Sequence, residues 1–254
     1  MGTTFYYALL LSAGAGLATT IGSLMGIAVK KPSDKLLAFT LGFSAGVMIL
    51  VSFVELLHTS INMIGFARAN IAFLSGMIAF ALIDIIIPHE YVGQKDFKKN
   101  VQNKGLKRTG LLVAVGIGIH NFPEGLAAFS GALENLQLGI AIAIAIAIHN
   151  IPEGLEISAP VYAATGSRKK AFWWSFLSGV SEPLGALLGA VVLFRFYSTG
   201  ILGWLLAGVG GLMVAISLDE LMPAAKNLGS EHAPVIGTIV GMAVMALSLQ
   251  LLTK

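Results

Sequence analysis

With 56% hydrophobic residues and only 11% charged ones, this chain of 254 residues is too apolar for a soluble globular domain, where charged side chains approach about a quarter of the total. Its net charge of +3 and pI near 9.1 would suit nucleic acid, but the basic residues fall between apolar stretches, as orientation signals do. No cysteine is present, so disulfides and thiolate metal ligands are excluded.

Eight apolar stretches follow in order: 4–28, 36–58, 66–88, 110–130, 136–158, 171–194, 201–222 and 234–252. At about 1.5 Å per helical residue, each can cross a hydrocarbon core about 30 Å thick. They predict one all-α polytopic membrane domain of eight transmembrane helices. No basic residue or small-residue cleavage site marks the first stretch as a leader, and Lys30 and Lys31 follow it. It is expected to stay as a helix. With the N-terminus outside, all sixteen Lys and Arg except Arg68, Arg195 and Lys254 fall inside. Positive-inside bias therefore predicts both termini outside and a cytoplasmic loop over about 89–109.

The second and seventh stretches repeat one another. Gly46, Met48, Ser52, Glu55 and Leu56 align at constant offset with Gly211, Met213, Ser217, Glu220 and Leu221. A weaker echo joins 21–26 on the first stretch to 184–189 on the sixth. Under the topology above the partners run in opposite directions. That predicts an inverted repeat of three spans flanking a central pair (3+2+3), a transporter arrangement with its substrate site near midplane.

The central pair carries the chemistry. The fourth stretch holds Ile-His-Asn-Phe-Pro-Glu-Gly-Leu at 119–126 and the fifth Ile-His-Asn-Ile-Pro-Glu-Gly-Leu at 148–155. Each histidine falls roughly 15–20 Å into its span, near midplane, where a lone carboxylate costs on the order of 2.5–3.5 kcal/mol. His120 and Glu124, like His149 and Glu153, are four apart and share a helix face. Pro123 and Pro152 free the carbonyls of Ile119 and Ile148, which is tolerated at membrane depth only around protein or a polar cavity. Imidazole, carboxylate and amide oxygen suit a borderline divalent ion such as Zn²⁺, Fe²⁺ or Mn²⁺. Facing copies would offer His120, Glu124, His149 and Glu153 to one ion, and Asn121 with Asn150 to a neighbour. A single buried His–Glu pair is equally satisfied as a structural hydrogen bond. Repetition on successive spans, with both prolines, favours metal.

Glu182, again followed by proline, is the natural third wall of this site. Glu156, three residues beyond Glu153, suits an onward ligand or a polar helix contact. Glu55 and His58 end the second span outside and are candidates for ion entry. Asp219 and Glu220 end the seventh inside, and His89 and Glu90 open the cytoplasmic loop; these would receive an ion leaving the membrane. Asp84 is expected to pair with a basic neighbour. The thirty glycines permit close helix contacts.

At these residues the chain resembles the ZIP family of divalent metal transporters, especially its bacterial ZupT-like branch. The likeness is carried by the two His-Asn-x-Pro-Glu-Gly phrases at 120–125 and 149–154, and by Pro-Val-Tyr-Ala-Ala-Thr-Gly-Ser at 160–167. Lys-Pro-Ser at 31–33, Leu-Gly-Phe-Ser-Ala-Gly at 41–46 and Asp-Glu-Leu-Met-Pro at 219–223 extend it over nearly the whole chain. The resemblance implies eight helices arranged 3+2+3, termini outside, and a homodimer in the inner membrane. It also implies a binuclear site, with His120, Glu124, His149 and Glu153 on one ion. Asn121, Glu124, Asn150, Glu153 and Glu182 would hold the other. An elevator-like motion is implied too, in which about 4–28 and 110–194 carry the site past a scaffold of about 36–88 and 201–252. His149 and Asn150 stand at positions where the family varies, some relatives having Gln or Asp, and the family's His-rich loop is missing.

The expected function is uptake of divalent transition metal into the cytoplasm, zinc and ferrous iron foremost, with manganese, cobalt or cadmium as further substrates. No enzyme activity, bound cofactor or nucleic acid is expected; the partners are the metal ion, lipid and a second copy. A metal-selective channel would use the same constellation, and saturable, slow flux separates carrier from pore. An intramembrane metallohydrolase would use metal-bound water as nucleophile, but the His-Glu-x-x-His spacing is missing.

Overall fold

The computed structural model describes residues 2–28, 33–86, 121–196 and 198–252, and among these every regular element is helical. In chain order they are α1 (Gly2–Ala28), α2 (Asp34–Ile64), α3 (Phe66–Ile86), α4 (121–134), α5 (Leu136–Thr165), α6 (Arg168–Phe196), α7 (Thr199–Asn227) and α8 (Ala233–Leu252). The starts of α2, α5 and α7 are capped by side chains. Ser33 accepts from the Leu36 N–H, Asn135 from Gln137 and Ser198 from Ile201. Glycines in the left-handed half of conformational space close two of the same helices, Gly65 at φ 83° after α2 and Gly166 at φ 64° after α5.

Several boundaries run beyond the apolar stretches, α5 to Thr165 among them. α2 continues to Ile64 and α7 to Asn227, past the expected ends at 58 and 222. Each is interrupted inside by a π turn, Ser52–Leu57 in α2 and Ser217–Leu221 in α7. These are the two copies of the stronger repeat, and their local bonding matches. Ser52 Oγ donates to the Met48 carbonyl at 2.7 Å, and Ser217 Oγ to that of Met213 at 2.8 Å. A hydroxyl that bonds back one turn and an inserted residue both bend a helix.

α1 packs on α5 and α6, α2 on α8, and α3 on α7, while α2 and α5 link the two sets. Gly185 of α6 abuts the Phe122 backbone of α4, so α4 joins the α1, α5, α6 set. The main core lies at the junction, with Val47, Met48 and Val51 of α2 against Ile142 and Ile146 of α5 and Leu206, Met213 and Ile216 of α7.

The surface inverts the soluble pattern. Leu10, Leu17 and Leu24 of α1, Leu74, Ile78 and Leu82 of α3, and Leu184, Leu188 and Val191 of α6 are exposed. Asn121, Glu124, His149, Asn150 and Glu182 are buried. Apolar outside and ionisable inside is the arrangement a bilayer demands. Among the described residues, six helices are long and apolar enough to cross one. α6 has the length but carries Ser175, Ser178, Ser181, Glu182 and Pro183 in its middle. The chain is a multi-pass membrane protein.

Candidate metal site

The four-residue spacing on α5 sets His149 and Glu153 one turn apart on one face, and α4 brings Glu124 opposite them. One donor atom from each of Glu124, His149 and Glu153 lies within 4.8 Å of the others. His149 and Glu124 are 2% and 1% exposed, far from bulk water.

His149 is oriented from behind. Its Nδ1 lies 3.1 Å from the Ala145 carbonyl one turn earlier. A carbonyl only accepts, so Nδ1 donates, and the ring in its neutral form presents a lone pair at Nε2. That nitrogen is 3.1 Å from Glu124 Oε2, yet neither atom has an aligned hydrogen-bond partner. Backing an imidazole with an acceptor is how proteins aim histidine at a cation and raise its basicity.

Around this triad the two asparagines are tied by their nitrogens. Asn150 Nδ2 donates to the Ala15 carbonyl of α1 at 2.9 Å and to Glu182 Oε1 of α6 at 2.5 Å. Asn121 Nδ2 donates to the Ser178 carbonyl at 3.4 Å and to Ser178 Oγ at 3.0 Å. Ser178 Oγ in turn donates to Glu153 Oε1 at 3.1 Å. Both asparagines are thereby held with Oδ1 lacking a hydrogen-bond partner, as is Glu182 Oε2. Each such buried atom costs about 1–3 kcal/mol if left unsatisfied. Several acceptors side by side are what a dication with nitrogen and oxygen ligands requires.

The structure thus brings together Asn121, Glu124, His149, Asn150, Glu153 and Glu182. His120, His89 and Glu90 lie outside the described residues, as does the side chain of Glu156. Glu55 is half-buried and lines a cavity of about 610 Å³ at the end of the bundle where α4 meets α5. Thr59, Asn62, Glu134, Asn135 and Gln137 share that lining. His58 and Asp219 are exposed, Glu220 is buried and Asp84 half-buried. Glu55, Asp219 and Glu220 sit in the π turns, inside their helices and not at the span ends expected of them.

Two residues escaped the sequence reading. Ser178 links Asn121 to Glu153, and its spacing of four from Glu182 was the available signal. Glu134, at the end of α4, joins Glu55 in the cavity; nothing in its local sequence sets it apart from a solvated helix end.

Known proteins resemble this chain over most of its length. The family model described as ZIP Zinc transporter matches residues 88–249. Similar relatives include proteins named zinc transporter ZupT. That of Chlorobium phaeovibrioides is 51% identical, with 97% of this chain and 98% of the relative covered. The Nitratidesulfovibrio vulgaris protein is 49% identical over 93% and 94%, and one from Escherichia coli 44% over 96% of each.

Proposed function

This chain belongs to the ZIP zinc transporter family, a family of transporters and not of enzymes, and from that premise we propose that it imports divalent transition metals. Zinc and ferrous iron are the foremost substrates, with manganese, cobalt and cadmium as further ones, and the direction is into the cytoplasm across the inner membrane. The observation that carries the reading is the triad of buried Glu124 and His149 with half-buried Glu153, whose donor atoms lie within 4.8 Å of one another.

In this reading His120, Glu124, His149 and Glu153 hold one ion. Asn121, Glu124, Asn150, Glu153 and Glu182 hold the second. The cavity that contains Glu55 and Glu134 faces outward and concentrates cations by its charge. Carboxylates of the site replace the water a dication must shed. Beyond it, Glu156, Asp219, Glu220, His89 and Glu90 mark the inward route. Both termini lie outside, the eight spans form the 3+2+3 repeat, and two copies form a dimer.

Access alternates by movement of α1, α4, α5 and α6 against α2, α3, α7 and α8. The glycine contacts support this division. Gly22 meets the Ile151 backbone, Gly154 that of Thr19, and Gly125 that of Glu182, all within the first set. Gly42 and Gly46 meet the backbone of Pro234 and Thr238, and Gly211 that of Phe73, all within the second. Backbone locked on backbone makes each set stiff, while side chains of α2 and α5 meet across the junction, where a slide disturbs less.

The test is uptake into proteoliposomes. Zinc influx should saturate, and Glu124→Ala and Glu153→Ala should each abolish it while the protein remains folded in the membrane. Undiminished uptake by both variants would overturn the assignment, and flux linear in concentration would make the protein a channel.

A further inference from the structure

The echo between α1 and α6 extends further than residues 21–26 and 184–189. At the same offset, Ser12 aligns with Ser175, Gly16 with Gly179, Gly22 with Gly185 and Gly26 with Gly189. The contacts follow the alignment. A Cβ on Gly16 would strike the Gly179 carbonyl, and one on Gly179 would strike that of Gly16. Gly22 abuts Ile151 on α5, and Gly185 abuts Phe122, the matching residue of the repeated phrase on α4. Asn150 donates to the Ala15 carbonyl, and Asn121 to that of Ser178, the residue aligned with Ala15. Exchanging α1 with α6 and α4 with α5 therefore reproduces the contacts, as a pseudo-twofold axis passing between Gly16 and Gly179 would.

Glu182 has a counterpart under this exchange, and it is Thr19. Gly125 meets the Glu182 carbonyl as Gly154 meets that of Thr19. A Cβ on Gly16 would lie 3.4 Å from Glu182 Cβ, and one on Gly179 the same 3.4 Å from Thr19 Cβ. Thr19 is fully buried, and its Oγ1 has no hydrogen-bond partner. A helical threonine ordinarily satisfies its hydroxyl on the carbonyl one turn back, as Thr165 does on Val161 at 2.7 Å. For Thr19 that carbonyl belongs to Ala15, which already accepts from Asn150.

We propose that the Thr19 hydroxyl is a further member of the metal-binding set, a neutral oxygen donor on α1 where the pseudo-twofold puts the Glu182 carboxylate on α6. This rests on the transport reading for its biological sense, but not for its test. The exchange of Thr for Glu makes the two sides of the site unequal in charge. It keeps the carboxylates at Glu124, Glu153 and Glu182 from becoming a symmetric set of four.

Zinc binding to the full-length protein in detergent, followed by calorimetry, tests the assignment directly. Thr19→Val keeps the shape and removes the donor, and should weaken zinc at least about tenfold, as loss of a ligand-shell contact does. Thr19→Ser should bind as the parent does. Glu182→Thr should lose affinity, and Thr19→Glu combined with Glu182→Thr should recover most of it by moving the carboxylate to the related position. Parent-like binding by Thr19→Val would overturn the proposal, and so would a double variant no better than Glu182→Thr. Proteoliposome uptake measured on the same preparations separates the two readings. Thr19-dependent binding without any zinc flux by the parent protein would sink transport and leave this assignment standing.

Discussion

His149 Nε2 and Glu124 Oε2 lie 3.1 Å apart without the alignment of a hydrogen bond. The Ala145 carbonyl takes the ring's Nδ1–H, so whenever the ring is neutral its Nε2 lone pair faces the carboxylate across a buried gap. A dication between them turns repulsion into two ligand bonds. Glu124→Gln keeps the shape but replaces one charged donor with an amide. Zinc affinity should fall roughly 2- to 30-fold if the loss follows the hydrogen-bond scale, on which contacts to a charged group contribute roughly 1.5–3 kcal/mol against about 1 for a neutral one. Calorimetric titration of the purified variant checks this, and unchanged affinity would remove Glu124 from the ligand set.

Ser178 acts through its neighbours. Its hydroxyl accepts from Asn121 and donates to Glu153, so one oxygen sets the orientation of two proposed ligands. Ser178→Ala should weaken zinc binding about 10–100-fold, the usual effect of removing a group that orients a ligand. Ser178→Thr, which retains the hydroxyl, should restore most of it. Thermal unfolding in detergent should barely move in either variant, which distinguishes positioning from a general loss of packing.

Much of this site was legible because its chemistry repeats at helical spacing. His149 and Glu153 declare a shared face, and the second copy of the phrase declares a partner for it. Helix ends were less legible. Thr59, Ser60 and Asn62 in α2, and Lys226 and Asn227 in α7, look like the close of an apolar run, yet the helices carry on through them. The roles of the asparagines were only half visible. Their amide oxygens could be nominated as ligands, but that the nitrogens are held by Ala15 and Ser178 depends on how α1 and α6 cross. The same holds for Ser178 and Thr19, which acquire meaning only from the packing of other helices.

Gly125 and Gly154 are where α4 and α5 touch their neighbours' backbones. A Cβ at Gly125 would overlap the Glu182 carbonyl, and one at Gly154 that of Thr19. Neither neighbour is a flexible side chain that can swing aside. Gly125→Ala and Gly154→Ala should each cost about 1–3 kcal/mol, the range for forcing extra volume into a packed interior. They should also displace Glu182 or Thr19 from the site. A drop in unfolding temperature with weakened zinc binding is expected in both. Gly14, whose added Cβ meets nothing within 4 Å, serves as the control, and Gly14→Ala should be silent.

Metal preference follows from the donor types. The chain has no cysteine, and the clustered ligand atoms are carboxylate, amide and imidazole. Without thiolate, discrimination among borderline dications rests on geometry and ranks only as the general stability order does. Zinc, ferrous iron, cobalt and cadmium should therefore compete for labelled zinc uptake with apparent constants within about tenfold of one another. Magnesium should compete far more weakly, because it keeps its water shell and prefers oxygen ligands in octahedral array, which a buried imidazole cannot complete. Competition measured in proteoliposomes under reducing conditions decides the matter. If magnesium displaced zinc at comparable concentration, His149 could not be a ligand of the transported ion.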